Sequence, residues 1–242
     1  MDDRFIIKPK MGKKDPTLPE RVIIVPTFSM LELFVPGGKK NMSKFGVLEN
    51  TFFSLIKAGN VEAAVCGPVI GAPAAAILME KIIVCGGRKI LFFGSCGAIS
   101  PSLEIGDIFI PDGGISEEGT SGLYLKGEKV LSPSMEILSV LEACLRKSSL
   151  LYKKGRAWTT DAPFMETVEK VEYYSSLSVL AVDMEFTALC AVAMLRKISF
   201  AALMVVSDIL YKKEWAHGFP SAEFKDGKTN AAEIITKVLA DI

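Results

Sequence analysis

The segment Lys89–Ser100, KILFFGSCGAIS, decides how the rest of the chain is read. Four apolar residues, Ile90 to Phe93, follow a charged pair and do not alternate with polar ones, which marks a strand covered on both faces. Two glycines, a serine and a cysteine come next. One account is a tight turn at the strand exit. The other is a backbone that a ligand approaches closely, because glycine permits positive φ and leaves amide groups and the Ser95 hydroxyl open to an oxyanion.

Outward from this segment the same apolar runs recur in RVIIVP (21–26), EAAVCGPV (62–69), GDIFIP (106–111), VLAVDM (179–184) and SFAALMVVSD (199–208). Helical patterns separate them. Ala74–Val84 reads as a buried helix stopped by Gly86-Gly87. Pro133–Lys147 is amphipathic, with Ile137, Leu138, Leu141 and Leu145 on one face. Further helices are expected over Glu185–Arg196 and Asn230–Leu239, and PGGKKNMSKFG reads as a loop. Buried strands alternating with helices predict an α/β fold, a three-layer α/β/α domain on a central mixed sheet. Residues 1–20 read as an N-terminal arm and 21–242 as the domain.

Composition removes several classes of function. Among 242 residues, 28 Lys plus Arg balance 28 Asp plus Glu, and the lysine doublets are scattered, so no nucleic-acid groove is expected. Five cysteines without a Cys-x-x-Cys pair suit buried thiols in a reducing compartment. A single histidine argues against a zinc site, and no metal is expected. The charged start MDDRFIIKPKMGKKDP carries no signal-peptide pattern, and the longest apolar stretches are interrupted by Glu80-Lys81 and Arg196-Lys197. No membrane partner is expected, and the cytoplasm is the expected location.

Three clusters fall at strand ends, where α/β proteins gather ligands. The first is GSCGA, with Gly94 and Ser95. The second is AVDMEFTAL, where Asp183 and Glu185 offer two carboxylates able to grip vicinal hydroxyls, or serve as the acidic start of a helix. The third is VVSDIL, where Asp208 follows Ser207 at the end of a long apolar run and suits a general acid, or a Ser-Asp turn.

In order and spacing, GPVIGAP, FFGSCGAIS, TTDAPF, AVDMEFTAL and VVSDIL resemble the nucleoside phosphorylase superfamily, from about Arg21 to the C-terminus. That family includes purine nucleoside and uridine phosphorylases and the methylthioadenosine and S-adenosylhomocysteine nucleosidases. The resemblance implies cleavage of the N-glycosidic bond of a nucleoside, purine-type, with phosphate as presumed acceptor and possible co-substrate, and no other cofactor. It implies Asp208 and Glu185 as catalytic residues, Asp208 as the acid at the leaving base and Glu185 on the 2′ and 3′ hydroxyls. Ile70, Asp183 and Met184 would face the ribose, Phe164 would border the base, Gly94 and Ser95 would hold an anion, and Ser207 would flank the acid. It also implies a homodimer or a trimer of dimers.

The chain departs from the family at the anion site. Phe92 stands where phosphate users commonly place arginine, and VPTFSML replaces the glycine-aspartate-proline turn with its arginine. Lys39, Lys40 or Lys44 are candidate substitutes, though lysine is a point charge rather than a bidentate fork. The glutamine-x-arginine clamp of the pyrimidine branch is missing. A nucleosidase using water, with Glu32 as possible activator, is one alternative. A non-catalytic nucleoside-binding protein is another. Trp215 and His217 lie where relatives carry a flap over the base.

Overall fold

The protein is described from a computed structural model, which places residues 5–46, 48–127, 130–212 and 214–242. In chain order its first half runs β1 (Arg21–Ile24), α1 (Phe28–Leu31), β2 (Ser43–Lys44), β3 (Phe52–Ala58), β4 (Val61–Gly67), α2 (Ala72–Val84), β5 (Lys89–Ala98), β6 (Ile108–Ser116), α3 (Ser121–Tyr124) and β7 (Val130–Leu131). The second half runs α4 (Met135–Ser148), β8 (Tyr152–Thr159), α5 (Val168–Ser176), β9 (Val179–Asp183), α6 (Phe186–Arg196), β10 (Ser199–Ile209), β11 (Ala216–His217) and α7 (Ala222–Asp241).

The expected three layers around a mixed sheet are present. β1 lies parallel between β4 and β5, β5 is parallel to β10, and β3 lies antiparallel to β4 with the short β2 outside it at the edge. α2 and α6 cover one face with Leu78, Met79, Ile82 and Leu189. α4 and α7 cover the other with Ile137, Leu141, Ile234 and Val238. α6 is apolar on all sides and correspondingly buried along most of its length. It ends where Lys197 takes the left-handed conformation after Arg196. All five cysteines are free and buried. Among the described residues no helix is long and apolar enough to cross a membrane.

Two features depart from the pattern reading. The sheet does not stay open: β5 pairs with β10 and β9, β10 with β6, β6 with β8, and β8 with β9, so five strands form a closed ring. The closing helix also starts at Ala222, eight residues before the expected Asn230, with Ser221 accepting a cap hydrogen bond from Phe224 N at 3.1 Å. Gly227 masked that start, since glycine disfavours helix interiors. It is there because α7 crosses the chain entering β6: a Cβ at Gly227 would lie 2.4 Å from Gly106 O. Ahead of β1, Lys81 on α2 donates to Lys10 O at 2.9 Å and pairs with Asp15. Leu18 is buried, and its N–H bonds Cys85 O at 2.7 Å.

Gly227→Ala therefore pushes α7 off the sheet. The expected cost is about 1–3 kcal/mol, the usual range for overpacking, read as a lower midpoint in urea unfolding with the slope unchanged.

Candidate active site

The ends of β1, β5, β9 and β10 converge on a cavity of about 530 Å³. Its wall takes Pro26 and Thr27 after β1, Ser95 to Gly97 on β5, Val182 to Glu185 at the end of β9, and Ser207 and Asp208 on β10. Pro163, Phe164, Glu166 and the start of α5 close one side, and Glu214, Trp215 and Phe219 close another.

GSCGA is not a turn. β5 runs straight through it to Ala98, and neither Gly94 nor Gly97 has positive φ. The glycines answer crowding. A Cβ at Gly94 would lie 2.4 Å from the Phe92 ring, and one at Gly97 would lie 2.5 Å from Leu210 and 3.2 Å from Asp208 Oδ2. Gly94, expected at the anion site, is accordingly not part of the cavity wall, because the fully buried Phe92 ring packs against it. Ser95, Cys96 and Gly97 take that place. Cys96 remains a thiol, since burial and the nearby Asp183 and Asp208 push its pKa up.

Gly97 is flanked on one side by Val182 of β9 and on the other by Asp208 of β10. A register shift between Val206 and Asp208 turns the last residues of β10. Ser207 Oγ then lies 2.6 Å from Asp208 Oδ1 and 3.2 Å from Cys96 O. A hydroxyl has one proton, so Ser207 donates to one of these at a time. Trp215 Nε1 donates to Asp208 Oδ2 at 2.9 Å. β11 holds this flap by pairing His217 with Asp208. His217 itself is exposed and stacks near Phe219, outside the cavity wall.

Asp183 and Glu185 are both buried but do different things. Asp183 Oδ2 accepts from Glu185 N at 2.9 Å and Phe186 N at 2.7 Å, and Oδ1 accepts from Thr159 Oγ1 at 2.6 Å. Those bonds cap α6 and commit both oxygens, so Asp183 borders the cavity as a support rather than as an open acceptor. Glu185 Oε1 accepts from Gly71 N at 2.6 Å. Gly71 has φ +88°, a conformation that favours glycine, and so aims its N–H at the carboxyl. Burial pushes both carboxyls up, and each is raised further by a neighbouring acid, Asp183 in the case of Glu185. With three donors Asp183 stays the more acidic, while Glu185 is pushed up to about 8.

Met184 lines the cavity, and Ile70 and Phe164 stand at its rim, 63% and 100% exposed. Glu166 was not anticipated. It follows the short helical turn Pro163–Met165 and reaches the same cavity. Burial, with Asp208 and Glu117 nearby and Lys170 opposing, raises it to about 7. Its signal was present as an acid two residues after Phe164. Glu32 is exposed as the C-cap of α1 and lies outside the wall. Lys39 is also outside, its Nζ sitting 5.6 Å and 5.2 Å from the rings of Phe28 and Phe52.

Residues 30–240 match the family model described as the phosphorylase superfamily. A guanosine phosphorylase of Halorubrum lacusprofundi is 28% identical over 162 residues, covering 66% of this chain and 67% of that protein. A purine nucleoside phosphorylase of Plasmodium falciparum is 24% identical over 152 residues, covering 62% of this chain and 61% of that protein. The chain thus spans roughly two thirds or less of the length of these curated relatives. Among solved structures, purine nucleoside phosphorylase from Toxoplasma gondii in complex with immucillin-H superposes with a TM-score of 0.83 at 19% identity, covering 93% of this chain and 92% of that one. Uridine phosphorylase from Vibrio fischeri gives 0.81 at 20% identity, covering 96% and 100%. The fold agrees with both structures, and on the family match over most of its length the chain belongs to the phosphorylase superfamily.

Proposed function

We propose that the chain is an enzyme, a pentosyltransferase or hydrolase, that cleaves the N-ribosidic bond of a nucleoside with a purine base. The observation that carries this is the meeting of Glu185 and Asp208 in one cavity, joined through Gly97. Bond cleavage builds positive charge on the ribose and negative charge on the base. Glu185 and Met184 serve the ribose end, with Ile70 at the rim and Asp183 holding the helix start that presents Glu185. Asp208, flanked by Ser207 and Trp215, serves the base end. It delivers a proton to N7 as the bond breaks, and Phe164 and Phe219 cover the ring faces. Glu166 lies on the same side and offers a second polar group to the base edge. The relatives' names cover guanosine, purine nucleosides and uridine. A proton-delivering acid favours the purine, whose N7 can receive it.

The rim leaves large apolar side chains in solvent, Ile70, Phe164 and Trp215 among them. A second copy of the chain covering that rim is part of this reading, as is a reducing, cytoplasmic setting for the five free thiols. Light scattering at micromolar concentration should then return a multiple of 26.2 kDa. The monomer mass alone would speak against a shared rim.

Asp208→Asn should lower release of free base from inosine and adenosine by roughly a hundredfold to ten-thousandfold, the usual contribution of a general acid. A variant cleaving both at the parent rate would remove Asp208 from the chemistry.

Glu185 also predicts a pH dependence of stability. Its pKa is raised from the ordinary carboxylate range to about 8 on folding. In that interval the native state binds more protons than the unfolded chain, so stability falls as pH rises through about 8. Glu185→Gln keeps an oxygen for Gly71 N–H and cannot ionise. The thermal midpoint of this variant should fall less between pH 6 and 9 than that of the parent, while its turnover drops by more than about tenfold. Parallel midpoint curves would show that Glu185 does not ionise within that window.

A further inference from the structure

The charges around the cavity bear on the second substrate. Resting on the ribosyl-transfer reading above, we infer that the acceptor in this site is water rather than inorganic phosphate. Five acidic side chains line the cavity, Glu166, Asp183, Glu185, Asp208 and Glu214, and none of its described lining residues is a lysine, arginine or histidine. A phosphate dianion entering there leaves water for a wall of acidic side chains with no cation among its described residues. Without charge-assisted donors to replace its hydration, that transfer is strongly unfavourable.

Basic side chains on the elements around the site are engaged elsewhere, and Lys170, between the lining residues Val168 and Val171, pairs with Glu117 at 2.6 Å. Arg21 Nε donates to Ile242 O at 2.8 Å, and Arg88 donates to Ile83 O and Gly87 O. Arg196 is held by Glu80 at 2.6 Å, and Lys39 sits over Phe28 and Phe52. Phe92, on β5 ahead of the lining residues Ser95 to Gly97, is fully buried in the apolar core. What β5 and the turn after β1 do present are neutral groups, the hydroxyls of Ser95 and Thr27 with neighbouring backbone. A water molecule needs two to four polar partners of that kind and no counter-charge.

The step balances without another reagent. The water oxygen forms a bond to C1′ as the C1′–N bond breaks, and that bond's electron pair leaves with the base. Asp208 gives its proton to the base, and the proton lost by the attacking water restores Asp208 through solvent. The products are free ribose and free base.

The test is release of base by the full chain from inosine, adenosine, guanosine and uridine, without phosphate and then with inorganic phosphate raised to millimolar levels. The sugar product is identified by chromatography. The inference expects free ribose and a rate that changes less than about twofold with phosphate. It also expects Asp208→Asn to remove the phosphate-independent rate, which ties that rate to this site. Saturable activation of about tenfold or more, with ribose 1-phosphate as product, would overturn the inference and leave the ribosyl-transfer reading in place. A phosphate-independent rate that survives in Asp208→Asn would also overturn it. Release of no base from any of the four, with or without phosphate, would overturn both.

Discussion

The arrangement depends on one constraint, the double pairing at the end of β5. Gly97 has Val182 on one flank and Asp208 on the other, and a side chain there would strike Leu210, Asp208 and Val182 together. The last residues of β5 bond β9 on one side and β10 on the other, and the pairings of β10 with β6, β6 with β8 and β8 with β9 complete the five-strand ring. The bulge after Val206 then turns Asp208 toward the space enclosed at the strand ends. Bulk at Gly97 would therefore act on the acid and on the ring at once.

From that junction the second carboxylate follows by capping. Asp183 ends β9 and spends its oxygens on the first amides of α6 and on Thr159. This fixes the turn that presents Glu185, whose other anchor is the amide of Gly71 from the start of α2. Neighbouring acids thus divide the work: one is held by hydrogen bonds and supports the fold, the other is raised by burial and faces the cavity. Burying carboxyls without a cation costs stability, and such unpaired groups concentrate where chemistry requires them.

Much of this was legible in the residues, and the limits have physical causes. The apolar runs around Ile23, Leu91, Ala181 and Leu203 marked strands because both sheet faces are covered. The clusters at Glu185 and Asp208 were visible as polar groups at the ends of such runs. GSCGA misled because glycine signals a turn as readily as it signals crowding, and only the tertiary neighbours of Gly94 and Gly97 separate the two. Ring closure left no local trace, since it comes from pairing between strands distant in sequence. The start of α7 was hidden by Gly227, whose reason is a contact with Gly106 more than a hundred residues away. Glu166 looked like any surface acid until its turn folded over the cavity.

The account's central claim is that Glu185 and Asp208 address the two ends of one nucleoside. A crystal structure of the chain with a purine nucleoside bound tests it directly. The account predicts the ribose hydroxyls within hydrogen-bond distance of the Glu185 carboxyl and the purine N7 within the same reach of Asp208. A nucleoside seated away from this cavity, or one in it touching neither carboxyl, would contradict it.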